Sequence, residues 1–298
     1  MRKQNPTSKA VLGVGDKLGA GDSYLVMDVL PSELRETAFE KLREEVKWCK
    51  MLHRGGEVPR LVAVEGEVQE DGSFPVYRHP ADESPRLSPF SPTVSLIREE
   101  VQKVLKHPVN HVLIQHYRSG KDYISEHSDK TIDVVRGSNI VNVSLGAQRS
   151  MTLRTKRDRQ PQQQESNPDG SAPREIQRIP LPHNSMFVMG LETNAKWLHG
   201  INHDNRPLKI KSDGEQYNGG ERISLTFRLI GTFLTADEKL IYGQGAKGKT
   251  RADARPVISG TDEAVKLIHA FGEENQCSDF DWDAAYGEGS DVLHFLGV

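Results

Sequence analysis

Within Tyr123-Ile124-Ser125-Glu126-His127-Ser128-Asp129-Lys130, two residues have the types and spacing for metal chemistry: His127 and Asp129. On an extended backbone, positions i and i+2 point to the same side. An imidazole and a carboxylate so placed can grip one small cation together. Two imidazoles and one carboxylate hold Fe(II) by a single face and leave the remaining positions open. The second histidine must then come from another strand downstream. His199, in Lys196-Trp197-Leu198-His199-Gly200-Ile201, is the candidate.

Two arginines narrow the chemistry. Arg222 and Arg228 are an even number of residues apart in Arg222-Ile223-Ser224-Leu225-Thr226-Phe227-Arg228, so on a strand they face the same way. A buried guanidinium needs an anion. It binds carboxylate through paired hydrogen bonds, and a dicarboxylate cosubstrate supplies two such groups.

Composition bounds what must position these residues. The chain has 298 residues, 36% hydrophobic and 27% charged, enough for one large domain or two modest ones. Cys49 and Cys277 are its only cysteines, which is no disulfide framework and points to a reducing compartment. No apolar run is long enough to span a bilayer. The start, Met1-Arg2-Lys3-Gln4-Asn5-Pro6, lacks the apolar core of a secretory signal, so the expected location is cytoplasmic or nuclear, with no membrane partner. A net charge of −3 argues against strong non-specific attraction to nucleic acid.

Along the chain, Gly13-Val14-Gly15 lacks the third glycine of a phosphate loop, and a strand follows near Tyr24-Leu25-Val26-Met27. Pro31-Ser32 opens a helix on which Leu34, Phe39, Leu42, Val46 and Trp48-Cys49 recur at helical spacing, with Cys49 as a small core residue. Residues 55–92, rich in Gly, Pro, Ser and charge, have the character of a binding loop or lid and include a short strand at 60–64. Ser91-Pro92 supplies an N-cap and an N1 proline for a second helix with Val94, Ile97, Val101, Val104 and Leu105 on one face. Strands are predicted at 111–117, 139–145, 150–154, 179–189 and 222–230, and a polar insertion at 155–173. Short strands with turns and few helices indicate a β-sandwich or jelly roll. From Leu234 the composition changes; a helix at 261–271 belongs to an appended element without identifiable chemistry.

Together, the H-x-D pair, the later histidine and the R-x-x-x-x-x-R strand resemble the AlkB-type family of Fe(II)/2-oxoglutarate dioxygenases, from about Pro59 to Ile230. The likeness is densest in Ile114-Gln115-His116-Tyr117-Arg118-Ser119-Gly120-Lys121-Asp122 and in His127-Ser128-Asp129-Lys130 with Asn142-Val143-Ser144-Leu145-Gly146-Ala147. It continues in Trp197-Leu198-His199 and ends in Arg222-Ile223-Ser224-Leu225-Thr226-Phe227-Arg228, close to the family's N-L-T-F-R. The resemblance implies an α+β fold with a double-stranded β-helix (jelly-roll) core at about 110–230, flanking N-terminal helices and a small C-terminal extension. The oxygenase domain would be 1–233, with a substrate lid at 55–92, and the extension 234–298. It further implies that His127, Asp129 and His199 ligate Fe(II), and that Arg222 and Tyr117 hold the distal carboxylate of 2-oxoglutarate. Arg228 would sit near the end that chelates the metal, and Gln115 and Ser224 stand where the family has Asn residues near the cosubstrate. The implied reaction uses 2-oxoglutarate and O2, releases succinate and CO2, and oxidises a substrate C–H bond. On an N-methyl group, the hydroxymethyl product would collapse to amine and formaldehyde.

Two substrate classes compete, a small metabolite and N-alkylated bases in DNA or RNA. Tyr77 lies where the family stacks an aromatic on the target base, although an ordinary half-buried loop tyrosine reads the same. Thr131 stands where repair members place an acid that reads the base. That position, the mild overall acidity and the acidic Pro80-Ala81-Asp82-Glu83-Ser84-Pro85 favour a small molecule. A basic run of Arg149, Arg154, Lys156, Arg157 and Arg159 could instead touch a phosphate backbone. The sequence reading leans to hydroxylation, desaturation or demethylation of a small metabolite, with oxidative demethylation of nucleobases as the alternative. Oligomeric state is left open.

Overall fold

β-Branched runs supply most of the strands in the computed structural model, which describes residues 11–53, 56–80, 85–157, 174–260 and 262–295. Most of the polar insertion expected at 155–173, from 158 on, and most of the acidic loop at 80–85 lie outside the described residues. The principal strands are β1 Tyr24–Met27, β2 Leu61–Gly66, β3 His111–Tyr117, β4 Ile124–His127, β5 Ile140–Gly146, β6 Arg149–Thr155, β7 Ile176–Leu181, β8 Ser185–Met189, β9 Trp197–Ile201 and β10 Arg222–Arg228. The helices are α1 Ser32–Glu45, α2 Pro92–Leu105, α3 Leu191–Lys196, α4 Asp262–Gln276 and α5 Trp282–Tyr286. Among the described residues, no helix is long and apolar enough to cross a membrane.

The strands build two sheets. The larger runs β1-β8-β5-β10-β3-β2, with the short strand Ser88–Pro89 pairing parallel at its edge, and the smaller runs β7-β6-β9-β4. Alternation along each strand decides which side chain faces which layer. On β10, Ile223, Leu225 and Phe227 join a core with Leu34, Phe39 and Leu42 of α1 and Val94, Ile97 and Val101 of α2. The other face of the larger sheet meets the smaller sheet, where Leu25, Tyr117, Ile140 and Phe187 pack with Met151, Leu153, Ile179, Leu181 and Trp197. Burying each such Leu, Ile or Phe stabilises the fold by roughly 1.5–3 kcal/mol. Arg222 and Arg228, at even spacing, are left on the inner face.

The structure departs from the sequence reading at the helix ends. α1 stops at Glu45 because Val46 turns extended (ψ 134°). Trp48 then packs on the His116 ring at 5.2 Å, and Cys49 pairs its backbone with Val62. Cys49 is therefore exposed and not a core residue of the helix. Pro92 does occupy the first turn of α2, but the Ser91 hydroxyl bonds Glu65 instead of capping the helix.

The C-terminal residues are built into the body. A strand β11, Thr232–Leu234, pairs with both Phe74–Pro75 and β12, Leu240–Gly243, so the boundary expected at 233 falls inside a strand. Arg78 forms a buried ion pair with Asp133 at 2.7 Å and donates to the carbonyls of Gly245, Ser290 and Val292. These bonds tie the expected lid segment to the chain's last residues. α4 runs past the expected end at Phe271 for more than a turn. That turn begins with Gly272 and is otherwise polar, so it reads as a helix end; its Glu274 and Asn275 side chains are held by Thr131 and Ser128, far away in sequence.

Candidate metal centre and cosubstrate cradle

β4 ends at His127 in direct register with His199 on β9. The two rings lie 4.3 Å apart between centroids. Asp129 follows just beyond the strand. Its Oδ1 is 3.8 Å from His127 Nε2 and 3.7 Å from His199 Nε2, and the three ligand atoms all lie within 4.8 Å of one another. His127 Nδ1 lies 2.8 Å from the Ser125 carbonyl, so it carries the proton and Nε2 presents its lone pair. Arg228 donates from Nε (2.8 Å) and Nη2 (2.6 Å) to Asp129 Oδ2, which leaves Oδ1 facing the histidines. Asn194 of α3 clamps the Asp129 backbone, accepting from its N–H at 2.8 Å and donating to its carbonyl at 2.9 Å.

Electrostatics keep all three groups ready for a cation. Burial alone would raise the Asp129 carboxyl, but Arg228, His199 and His127 outweigh it and hold it below the usual carboxylate range. Burial, with His127 beside it, pushes His199 down to about 3. Burial lowers His127 as well. Neutral imidazoles and an ionised carboxylate are the protonation states a metal requires, and this donor set fits Fe(II).

An anion cradle lies toward the other end of β10. The Arg222 side chain is 0% exposed, and its Nη2 donates to Asn142 Oδ1 at 3.0 Å and Ser144 Oγ at 2.7 Å on β5. Its guanidinium lies 5.1 Å from the Tyr117 ring centre. Nε and Nη1 have no partner among the described residues. Burial pushes the guanidinium down to about 10, so it stays charged at neutral pH. Each orphaned buried donor costs about 1–3 kcal/mol. A carboxylate of 2-oxoglutarate would satisfy both, so the cradle fits that cosubstrate. Gln115 accepts from the Tyr117 hydroxyl at 3.2 Å and lines the metal cleft. Ser224 accepts from Asn142 Nδ2 at 2.7 Å, so it touches Arg222 through Asn142.

A cleft of about 860 Å³ opens beside the triad, lined by Tyr77, His79, Gln115, His127, Asp129 and Arg228 among others. The Tyr77 hydroxyl accepts from Lys130 N at 3.0 Å, and its ring lies 4.1 Å from the Arg228 guanidinium and stacks on His79 at 5.6 Å. Tyr77 thus lines the cleft and supports the arginine that orients Asp129. Thr131 does not line it: its N–H and hydroxyl both donate to Glu274 Oε1. Arg149 is buried, its guanidinium donating to the carbonyls of Ser119, Asp122 and Asn202. Arg154 pairs with Glu126, and Lys156 is buried against the Glu274 carbonyl. Arg149, Arg154 and Lys156 of the basic run are therefore engaged within the protein, Arg157 is exposed, and Arg159 lies outside the described residues.

The structure adds Asn142, Ser144, Asn194, Glu274 and Asn275 to the site. Asn142 and Ser144 carried a signal, since they alternate on the strand beside Arg222. The last two lie on α4, in the segment expected to carry no chemistry; Asn275 accepts from Ser128 N at 2.9 Å, between the two ligands of the H-x-D pair.

Comparison with known proteins agrees with this geometry. The family model for the 2OG-Fe(II) oxygenase superfamily matches residues 22–228. The DNA oxidative demethylase ALKBH2 of Homo sapiens is 30% identical over 202 residues, 64% of this chain and 67% of that protein. Its Mus musculus counterpart is 32% identical over 145 residues, 48% of this chain and 52% of that protein. Alpha-ketoglutarate-dependent dioxygenase alkB homolog 3 of Bos taurus is 26% identical over 200 residues, 65% and 61% of the two chains. The alignments thus span about half to two thirds of these relatives. With the family match reaching from β1 to Arg228, the chain belongs to the 2OG-Fe(II) oxygenase superfamily as an AlkB-like oxidoreductase, with Fe(II), 2-oxoglutarate and O2 as its cofactor and cosubstrates.

Proposed function

We propose that this chain is an oxidative demethylase of N-alkylated nucleobases. The observation that carries the proposal is the stacked Tyr77–His79 pair, which stands in the cleft beside the metal ligands and offers an aromatic face to a base taken out of its stack. Two of the named relatives, ALKBH2 of Homo sapiens and of Mus musculus, are DNA oxidative demethylases, which favours this reading over the small-molecule substrate the sequence suggested. A metabolite remains the second reading on one observation: Glu57, Glu126 and Glu273 line the same cleft, an acidic setting for a phosphate backbone.

In this reading the two sheets are a double-stranded β-helix, the oxygenase domain runs through β11, which crosses the expected boundary at 233, and α4 beyond it walls the cleft. His127, Asp129 and His199 hold the metal. Arg222 and Tyr117 hold the distal carboxylate of 2-oxoglutarate, with Gln115, Asn142, Ser144 and Ser224 fixing their orientation. Arg228 and Asn194 fix the aim of Asp129 Oδ1. When bound, iron and 2-oxoglutarate supply the oxidation of a C–H bond by O2. The protein's part is to place the N-methyl group over the metal and limit water. The oxidised N-hydroxymethyl group then leaves as formaldehyde.

The test is formaldehyde release from oligonucleotides bearing single N-methylated bases, compared with unmethylated controls. Release that depends on Fe(II) and 2-oxoglutarate is expected. Robust succinate formation with no formaldehyde from any methylated oligonucleotide would move the assignment to a metabolite.

A further inference from the structure

α4 lies beyond the end of the family match, yet His269, Asn275 and Gln276 on it line the metal cleft. Asn275 is the one anchored to the metal-binding stretch. Its Oδ1 accepts from Ser128 N at 2.9 Å and from Lys130 Nζ at 3.3 Å. Two donors on one end of an amide settle which end is oxygen. The Nδ2 group has no hydrogen-bond partner among the described residues and is not sealed off as a buried orphan. Beside it, Lys130 adds a buried positive charge to the same wall.

Glu274 balances the Lys130 charge from behind but does not reach the Asn275 amide donor. Glu274 is absent from the cleft lining, and its oxygens are occupied by Thr131 and by the Tyr286 hydroxyl at 2.8 Å. Of the cleft's other acids, Glu126 pairs with Arg154, Glu57 pairs with Lys50, and Glu273 is exposed with an interaction of its own. Asp129 would be taken up by the metal, so the wall next to the metal ligands presents the Asn275 amide donor to a substrate.

N-Methylated bases divide along that line. When the methylated nitrogen is flanked by carbonyls, as in 3-methylthymine, the base is neutral and presents acceptor oxygens beside the methyl group. 1-Methyladenine is cationic and presents an amino donor there. A site built to donate to a substrate oxygen rejects the analogue that lacks it, because its own polar group is left unpaired.

We propose that Asn275 Nδ2 donates to a carbonyl oxygen beside the oxidised N-methyl group, so that the cleft selects neutral, carbonyl-flanked bases over cationic, amino-flanked ones. This selection rests on the demethylase reading above. Asn275→Asp tests it, because aspartate keeps the acceptor for Ser128 and Lys130 and turns the cleft-facing donor into an acceptor. Matched single-stranded DNA oligonucleotides carrying one 3-methylthymine or one 1-methyladenine are assayed for formaldehyde. Wild type should prefer 3-methylthymine in kcat/KM, and Asn275→Asp should lower that preference by about tenfold, the scale of one well-placed hydrogen bond gained or lost. Asn275→Ala should lower it by less. Each ratio is taken within one preparation, so partial misfolding cancels. Demethylation of both bases with no wild-type preference for 3-methylthymine, or with a ratio unchanged in Asn275→Asp, overturns the selection and leaves the demethylase reading standing. Demethylation of neither base overturns both.

Discussion

Arg222→Met removes a charge that no carboxylate among the described residues pairs with. Arg222 is fully buried and, among the described residues, bonds through Nη2 alone, leaving Nε and Nη1 as orphans. At about 1–3 kcal/mol for each orphan, the ligand-free protein carries a cost of roughly 2–6 kcal/mol at this residue. Methionine is apolar and flexible enough to fill the space beside Tyr117. The substitution withdraws one donor from Asn142 and Ser144, but Asn142 keeps Ser224 and Thr226, and Ser144 keeps its bond to Asn142. The ligand-free variant should therefore match wild type or exceed it by up to about 3 kcal/mol, a Tm rise of zero to about 10 °C. With 2-oxoglutarate the order reverses. Losing a buried charged partner costs about 2–5 kcal/mol of binding, at least about 30-fold in Kd. Thermal unfolding with and without 2-oxoglutarate, at fixed divalent metal, reads both effects. A variant that unfolds well below wild type without ligand yet keeps the full 2-oxoglutarate shift would refute the anion-cradle argument.

Two further outcomes follow from the buried groups around the triad. Glu274→Ala leaves Lys130 and Lys156 buried without their shared counter-charge and takes the acceptor from Thr131 and Tyr286. Denaturant unfolding should show a loss of about 3–5 kcal/mol; a loss below about 1 kcal/mol would place these cations in contact with water. Metal-free protein should weaken in acid. His199 is held near 3 by burial against an ordinary 6.5, so the unfolded chain binds the extra proton in that window and stability falls as pH drops through it. From about pH 6.5 to about pH 5, His199 alone contributes a loss of about 2 kcal/mol. Thermal unfolding of metal-free wild type and His199→Gln across this range measures it, and equal slopes would contradict the assignment.

The parts of the site readable from sequence are those set by local geometry. The i, i+2 spacing of His127 and Asp129 and the even spacing of Arg222 and Arg228 follow from strand alternation, and the structure brings each pair to one face. His199 was reachable because a third ligand has to come from a strand that pairs with the first. Residues whose placement depends on long-range packing were not readable. Glu274 and Asn275 meet Thr131 and Ser128 across more than a hundred residues, from a helical turn whose Gly272 and polar sequence mimic a helix end. Thr131 looked like a vacant substrate contact because its partner comes from that turn. Arg149 looked like a phosphate contact because a sequence shows charge but not the carbonyls of Ser119, Asp122 and Asn202 that enclose it. Cys49 was misplaced by continuing a helical period past Val46, where the backbone turns extended.

The central claim is that His127, Asp129 and His199 hold the iron that oxidises N-methyl groups. It is tested most directly by measuring succinate and formaldehyde in the same reaction, with wild type or Asp129→Ala, Fe(II), 2-oxoglutarate, air and an N-methylated oligonucleotide. Wild type should release formaldehyde in step with substrate-stimulated succinate, and Asp129→Ala should form neither. Undiminished succinate and formaldehyde from Asp129→Ala would contradict the account.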